Sequence, residues 1–283
     1  MKVVPIYGRP ALVIEISGER ILILADLHLG IEGELSKLGI NLPSQTEKVK
    51  KKIVTLIEQE KPDRLVLLGD VKHNVPITTW QEWRELPDFF ADLVKLTKVE
   101  ILPGNHDGGI DGLAPREVVL HDSGGIVLGK RKKIGLMHGH TWPNASLLDA
   151  ETIVTGHNHP AVEFRDELGG RLVEPVWLKC ELSASNFPKE LREKVRKPPN
   201  LLVMPAFGEL VGGAAVNRRM PDELLGPMFR AGVVSLDEAE VYMLDGTYLG
   251  RVKELRKLTG EGQDNEGYED RRVGRNRAGE ETF

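Results

Sequence analysis

The chain has 283 residues, 40% of them apolar and 29% charged, with a formal net charge of -5; this is enough chain for a large folded core, and it offers no global attraction for polyphosphates. Its single cysteine, Cys180, excludes an internal disulfide, no apolar run approaches the roughly 20 residues needed to span a bilayer, and the start MKVVPIYGRP lacks the basic flank and long apolar run of a signal peptide. A cytoplasmic protein is therefore expected, and the many charges with few Gln lean toward a heat-adapted proteome.

In chain order, Ala11 to Ile16 and Arg20 to Ala25 read as two strands joined by a tight SGE turn, the second (ILILA) nearly continuous in apolar residues and so buried on both faces. It ends in DLHLG. From Ser44 to Gln59, Val49, Ile53, Leu56 and Ile57 recur at helical spacing behind a Ser44 cap with Glu47 three residues on, which predicts a capping box. RLVLLGD is another buried strand ending in an acid. Trp80 to Leu96 predicts a second helix, interrupted or kinked at Pro87, and Val99 to Leu102 a strand that delivers LPGNHD.

Strand, helix, strand, helix, strand implies right-handed parallel crossovers, with polar residues gathered at the carboxyl ends of the strands. KKIGLMH and ETIVTGH repeat the pattern of a short apolar strand with a polar end. VEFRDELGGRLVEPVWLKC reads as a hairpin around Gly169 and Gly170, and AEVYMLDGTYLGRV as another around Asp245 and Gly246. A second, more antiparallel sheet is expected from these later segments. The basic amphipathic NFPKELREKVRKPPN follows Ser185, and from Thr259 onward the polar, Gly-rich composition predicts a disordered tail. The domain reading is one unit over 1–258, its 185–258 portion a C-terminal elaboration, with a tail over 259–283.

The chemistry gathers at the strand ends: Asp26 and His28, Asp70, Asn105 with His106 and Asp107, His138 and His140, then His157 and His159. Any one of these fragments reads as a turn or a cap. Together they do not, because six of the eight histidines fall in them and a sheet brings strand ends together. Two carboxylates, an amide oxygen and four or more imidazoles, without a thiolate, suit two divalent cations of borderline hardness better than calcium or a closed structural zinc. Two such ions leave about two positive charges for a hydroxide and a phosphate, and lower the pKa of bound water to about 7.

The blocks DLH, GD, GNHD, H and GHNH, in this order between Asp26 and His159, resemble the five-block pattern of calcineurin-like metallophosphoesterases. The resemblance implies an α/β fold, a two-sheet αββα sandwich with a dimetal site at one edge. It implies Asp26, His28 and His159 on one metal, Asn105, His138 and His157 on the other, and Asp70 bridging. His106 would contact the phosphate and protonate the leaving oxygen, with Asp107 orienting it, and His73 would reach substrate in the manner of nuclease members. His140 is left outside the metal shell. GDVKHN and MPAFGELVGG resemble, more weakly, the archaeal phosphoesterases related to the SbcD nuclease.

The function expected is hydrolysis of a phosphodiester, DNA or RNA included, by a metal-activated hydroxide. Manganese is the first candidate, with nickel, iron, zinc and cobalt as alternatives. The alternatives are a phosphomonoesterase, a cyclic-nucleotide phosphodiesterase and a noncatalytic scaffold, the last disfavoured because every ligand position is present. A phosphate ester is the expected partner, nucleic acid a further one, a membrane none, and a homo-oligomer is left open. The basic runs Lys130 to Lys133 and Lys189 to Lys197 read first as solvated surface and second as backbone contacts.

Overall fold

A computed structural model of the chain describes residues 1–166, 168–218 and 226–258. The tail expected from Thr259 lies outside the described residues. The first sheet uses β1 (Lys2–Pro5), β2 (Ala11–Ile16) and β3 (Glu19–Leu24), followed by α1 (Glu32–Lys37), α2 (Thr46–Glu60), β4 (Arg64–Leu67), α3 (Trp80–Leu93), β5 (Lys98–Ile101) and β6 (Val119–Leu120). The second uses β7 (Ile126–Leu128), β8 (Ile134–Leu136), β9 (Thr152–Thr155), β10 (Pro160–Arg165), β11 (Arg171–Glu181), α4 (Lys189–Arg192), β12 (Asn200–Val203), β13 (Ala214–Ala215), α5 (Pro227–Arg230), β14 (Glu240–Met243), β15 (Tyr248–Arg251) and α6 (Val252–Leu258).

Sheet one runs β1-β2-β3-β4-β5-β6, antiparallel as far as β3 and parallel from β3 to β6. Sheet two runs β13-β10-β11-β12-β9-β8-β7, with β14 and β15 added beside β11. It is the more antiparallel of the two, as expected: β10, β11, β12, β14 and β15 pair antiparallel with their neighbours in that run, as do β7 and β8, while β8–β9, β9–β12 and β10–β13 pair in parallel. Both expected hairpins form, β10 with β11 and β14 with β15.

Alternation along the strands builds the layers. Ile21, Ile23, Val66 and Leu68 face inward and meet Ile134, Leu136, Val154 and Trp177 of sheet two. Leu22, Leu24, Leu65 and Leu67 point outward, where Ile53 and Leu56 of α2 and Phe89 and Phe90 of α3 cover them. On the far side, Leu178, Leu201 and Val203 pack with Met228, Val252 and Leu255. The architecture is the expected αββα sandwich. No helix of the described residues is long and apolar enough to cross a membrane.

One helix expectation changes. No capping box forms at α2: Gln45 holds the N-cap position without a side-chain bond, the Ser44 and Thr46 hydroxyls both donate to Glu85, and Glu47 pairs with Lys50. The Ser44 hydroxyl is turned toward the tertiary carboxylate of Glu85, and its oxygen accepts from the Thr46 amide (3.3 Å) rather than from that of Glu47, so the helix starts one residue later than a Ser44 cap would place it. The box occurs instead at α3, between Thr79 and Glu82, and α3 runs through Pro87 to Leu93.

Glu82 does more than cap. Fully buried, it accepts from the backbone amides of Thr79 (2.7 Å), Asn74 (2.9 Å) and His73 (3.2 Å), so the start of α3 is tied to the loop that follows β4. Burial pushes its carboxyl up, but the Asn74 and Thr79 donors outweigh this and hold it below its ordinary value of 4.5. Glu82→Ala should cost about 3 kcal/mol in urea unfolding, because it removes a cap and strands buried donors. A depressed carboxyl stabilises fully above its unfolded pKa and progressively less as pH falls through the folded value. Unfolding midpoints measured from about pH 6 down to about pH 3 should therefore drop more steeply for the wild type than for Glu82→Gln.

Candidate metal centre

The parallel strands β3, β4 and β5 end on one edge, so Asp26, Asp70 and the Asn105–His106–Asp107 turn leave the sheet side by side. From sheet two, His138 follows β8, and His157 and His159 lie between β9 and β10. Backbone bonds lock these loops together. The amide of Asp26 donates to Gly69 (3.1 Å), that of His28 to Asp70 (2.9 Å) and that of Gly156 to His138 (2.9 Å). The carboxylate of Asp26 accepts from the His157 amide (3.0 and 3.2 Å), which joins the two sheets at the site.

These loops are locally strained. Asp26, His28, Asp70, His157 and His159 have φ between 40° and 70°, and they are five of the seven non-glycine residues in that region among those described. Left-handed backbone is costly for residues with a Cβ and is retained where surrounding contacts over-determine it. Two motif glycines permit the close approach: a Cβ at Gly69 would strike the His138 imidazole, and one at Gly104 the Asp70 carboxylate.

Three side-chain groups among the described residues bring possible ligand atoms within 4.8 Å of one another: one is His28, His73 and His106, and the other two share Asp70. Asp26, His28, Asp70 and His159 each place a ligand atom within 4.8 Å of the others, and so do Asp70, His138 and His157. His106 N donates to Asp70 Oδ1 (2.9 Å), leaving Oδ2 between His28 Nε2 (3.5 Å) and His138 Nε2 (3.3 Å). His159 Nε2 lies 3.2 Å from Asp26 Oδ1. Asn105 is exposed on the turn, one residue before the amide that Asp70 holds.

The electrostatics favour cations. Burial works to push the Asp26 and Asp70 carboxyls up, yet His159 and His138 beside Asp26, and His138 and His28 beside Asp70, hold both below the usual range. Burial lowers His28 and His157 to about 3, so their lone pairs are free. Burial also opposes charge on His138, but Asp70 and then Asp26 outweigh it and raise that imidazole to about 9. The field that would hold a proton there would hold a metal ion.

The donor set fits two such ions. The Nε2 atoms of His28, His138 and His159 are buried without a hydrogen-bond partner, which is costly for a polar atom unless a ligand completes it. His138 Nδ1 donates to the Leu68 carbonyl (2.9 Å), a bond that fixes the tautomer and turns the Nε2 lone pair toward Asp70. Cys180, buried in sheet two with its thiol pushed up to about 12, takes no part.

Two expectations around His106 change. Asp107 does not orient it. Its carboxylate accepts from the amides of Val71 (2.8 Å), Lys72 (3.2 Å) and Gly104 (2.8 Å), clasping the loops after β4 and β5, and burial with the nearby Asp70 raises it to about 6. His106 Nδ1 meets the His73 carbonyl instead. His73, expected to touch substrate, spends both ring nitrogens on the protein, Nδ1 on His28 Nδ1 (3.0 Å) and Nε2 on Glu34 Oε2 (2.5 Å). The backbone places it there: the His73 amide bonds Leu29 O and Glu82, and the imidazole meets His28 edge-on while stacking on His106.

Glu34 escaped the sequence reading, since nothing in the spacing of EGELSK marks it out. His140 has a buried Nδ1 without a partner, and its ring lies 5.3 Å from that of His138, but it stays outside both ligand groups. Lys130 to Lys133 lie at the turn between β7 and β8, and Lys189 to Lys197 on and after α4.

The chain resembles a nuclease MPE from Pseudomonas putida (20% identity over 83% of this chain and 97% of that one, TM-score 0.46) and Yfce, a phosphoesterase from E. coli (13%, 82% and 97%, TM-score 0.39). It also resembles an archaeal phosphodiesterase (17% identity, 52% of this chain and 78% of that one, TM-score 0.30). The model of one sequence family, the calcineurin-like phosphoesterases, matches residues 19–203, from the start of β3 to the end of β12. That span takes in both ligand groups and the strands that carry them, and the chain belongs to this family, as a hydrolase of phosphoric ester bonds.

Proposed function

We propose that the protein is a two-metal phosphodiesterase in which Asp26, His28 and His159 hold one ion, Asn105, His138 and His157 the other, and Asp70 is shared. The observation that carries this reading is Asp70 itself: one oxygen is tied down by the His106 amide, and the other faces two unpartnered imidazole nitrogens, one from each group. Bound there, two divalent ions supply Lewis acidity and activate water for attack on phosphorus.

The chain's own groups do the rest. With its Nδ1–H held by the His73 carbonyl, His106 keeps Nε2 clear of the protein, and in the doubly protonated ring that nitrogen carries the proton for the leaving oxygen. Asp107 keeps the turn in place by gathering three amides. Two carboxylates against two dications leave about two positive charges for a phosphate and its nucleophile.

A diester is favoured over a monoester because apolar surface adjoins the centre in two places. Val75, Ile77, Trp80 and Trp83 are exposed on the segment that leads from His73 into α3, whose start Glu82 ties to the His73 loop. A cavity of 620 Å³, walled by Leu56, Pro160, Val173 and Phe207, reaches His159. Each could receive one organic group of a diester. The SbcD-like motifs GDVKHN and MPAFGELVGG support a nucleic-acid strand as that diester, manganese is the first ion to test, and a cytoplasmic location fits the sequence.

Metal-stripped protein reloaded with manganese should hold two ions per chain by elemental analysis and hydrolyse bis-p-nitrophenyl phosphate; a single bound ion in a folded sample would refute the shared-carboxylate reading. His106→Ala should still bind both ions while kcat falls by about 10² to 10⁴, with the larger loss on an alkyl ester, whose leaving group most needs a proton. Equal kcat in mutant and wild type on that ester would remove His106 from the acid role. If a long strand is the substrate, its cleavage should weaken steeply with added salt while hydrolysis of the small diester does not.

A further inference from the structure

His28 and His73 face each other through like atoms. Their Nδ1 nitrogens are 3.0 Å apart, so one carries the proton and the other accepts it. On the far side of His73, Nε2 lies 2.5 Å from Glu34 Oε2, at the first turn of α1. On the far side of His28, Nε2 is buried, has no hydrogen-bond partner and faces Asp70 Oδ2 at 3.5 Å. The three side chains form a line from solvent to the centre of the site, with Glu34 60% exposed at one end and His28 3% exposed at the other.

The direction of the protons along this line decides what His28 can do. An ionised Glu34 is an acceptor only, so His73 Nε2 must carry a proton. A neutral His73 then has a bare Nδ1, which accepts from His28 Nδ1–H and leaves the His28 Nε2 lone pair free. Reversed, His28 would carry its proton on Nε2, pointed at Asp70, and that nitrogen could not ligate. Reversal requires a protonated Glu34 or a doubly protonated His73.

We propose that Glu34 and His73 are a positioning pair that holds His28 as its Nδ1–H tautomer, presenting Nε2 to the group formed by Asp26, Asp70 and His159. The proposal rests on the reading of His28 as a metal ligand given above. Neither residue touches the reacting atoms. The pair acts on one of the two ion sites, because the other takes its imidazole tautomer from a different source, the Leu68 carbonyl at His138. His73 also receives the His106 Nδ1–H on its backbone carbonyl, which side-chain substitution leaves in place.

The test uses the full chain labelled with 15N. Long-range proton–nitrogen spectra of the metal-free wild type in mildly alkaline buffer should show His28 protonated at Nδ1; protonation at Nε2 would overturn the proposal. Zinc affinities from chelator competition should show one ion weakened about tenfold in Glu34→Ala and 10- to 100-fold in His73→Leu, with the second ion unchanged. His73→Gln, whose amide oxygen can accept from His28 Nδ1–H, should restore most of the loss. Unchanged affinity in Glu34→Ala, equal weakening of both ions, or no recovery in His73→Gln would each count against the pair. Glu34 is on the surface, so its substitution keeps the test valid if His73→Leu fails to melt cooperatively. A wild type that binds fewer than two ions would instead defeat the dimetal reading, and the tautomer of metal-free His28 would still decide this one.

Discussion

Two carboxylates buried together are the constraint around which this molecule is arranged. Asp26 and Asp70 are 0% and 2% exposed, and each raises the cost of ionising the other. A charge removed from water is tolerated when it is hydrogen-bonded and balanced nearby. Here backbone amides bond both carboxylates, four imidazoles crowd against them, and the remaining imbalance is of the sign that attracts cations.

The rest of the fold serves that convergence. Parallel pairing of β3, β4 and β5 sends three chain segments off the same edge, and the inward-facing Ile23, Val66, Leu136 and Val154 press the second sheet against the first so that His138, His157 and His159 arrive from the other side. The chain then accepts left-handed backbone at five of these residues. Helices α2 and α3 cover the outer face of sheet one, and the buried Glu82 of α3 reaches back to fix the loop carrying His73. Packing and chemistry are joined at that carboxylate: it caps a helix and also sets where an imidazole lies.

Much of this was legible in the order of residues. Apolar runs broken by Asp26, Asp70 and Asn105 announced buried parallel strands with polar ends, because strand burial requires the first and open sheets gather the second. The hairpins at Gly169 and Asp245 were equally plain from their turn residues. The family pattern named candidate ligands, and the fold brings Asp26, His28, Asp70, His138, His157 and His159 of that set together. The expected roles of Asp107, His73 and Ser44 did not hold, and the three share a cause: each side chain bonds to an element distant in sequence, whose arrival no local spacing announces.

By itself, then, the sequence determined the layered fold class and the inventory of candidate ligating groups, since hydrophobic periodicity and residue chemistry are local properties. Only the tertiary structure decided which carbonyls hold the His138 and His106 imidazoles, which amides Asp107 gathers, and that Glu34 stands behind His73. Those outcomes depend on hydrogen-bond directions and distances of a few ångströms between segments that only packing brings together.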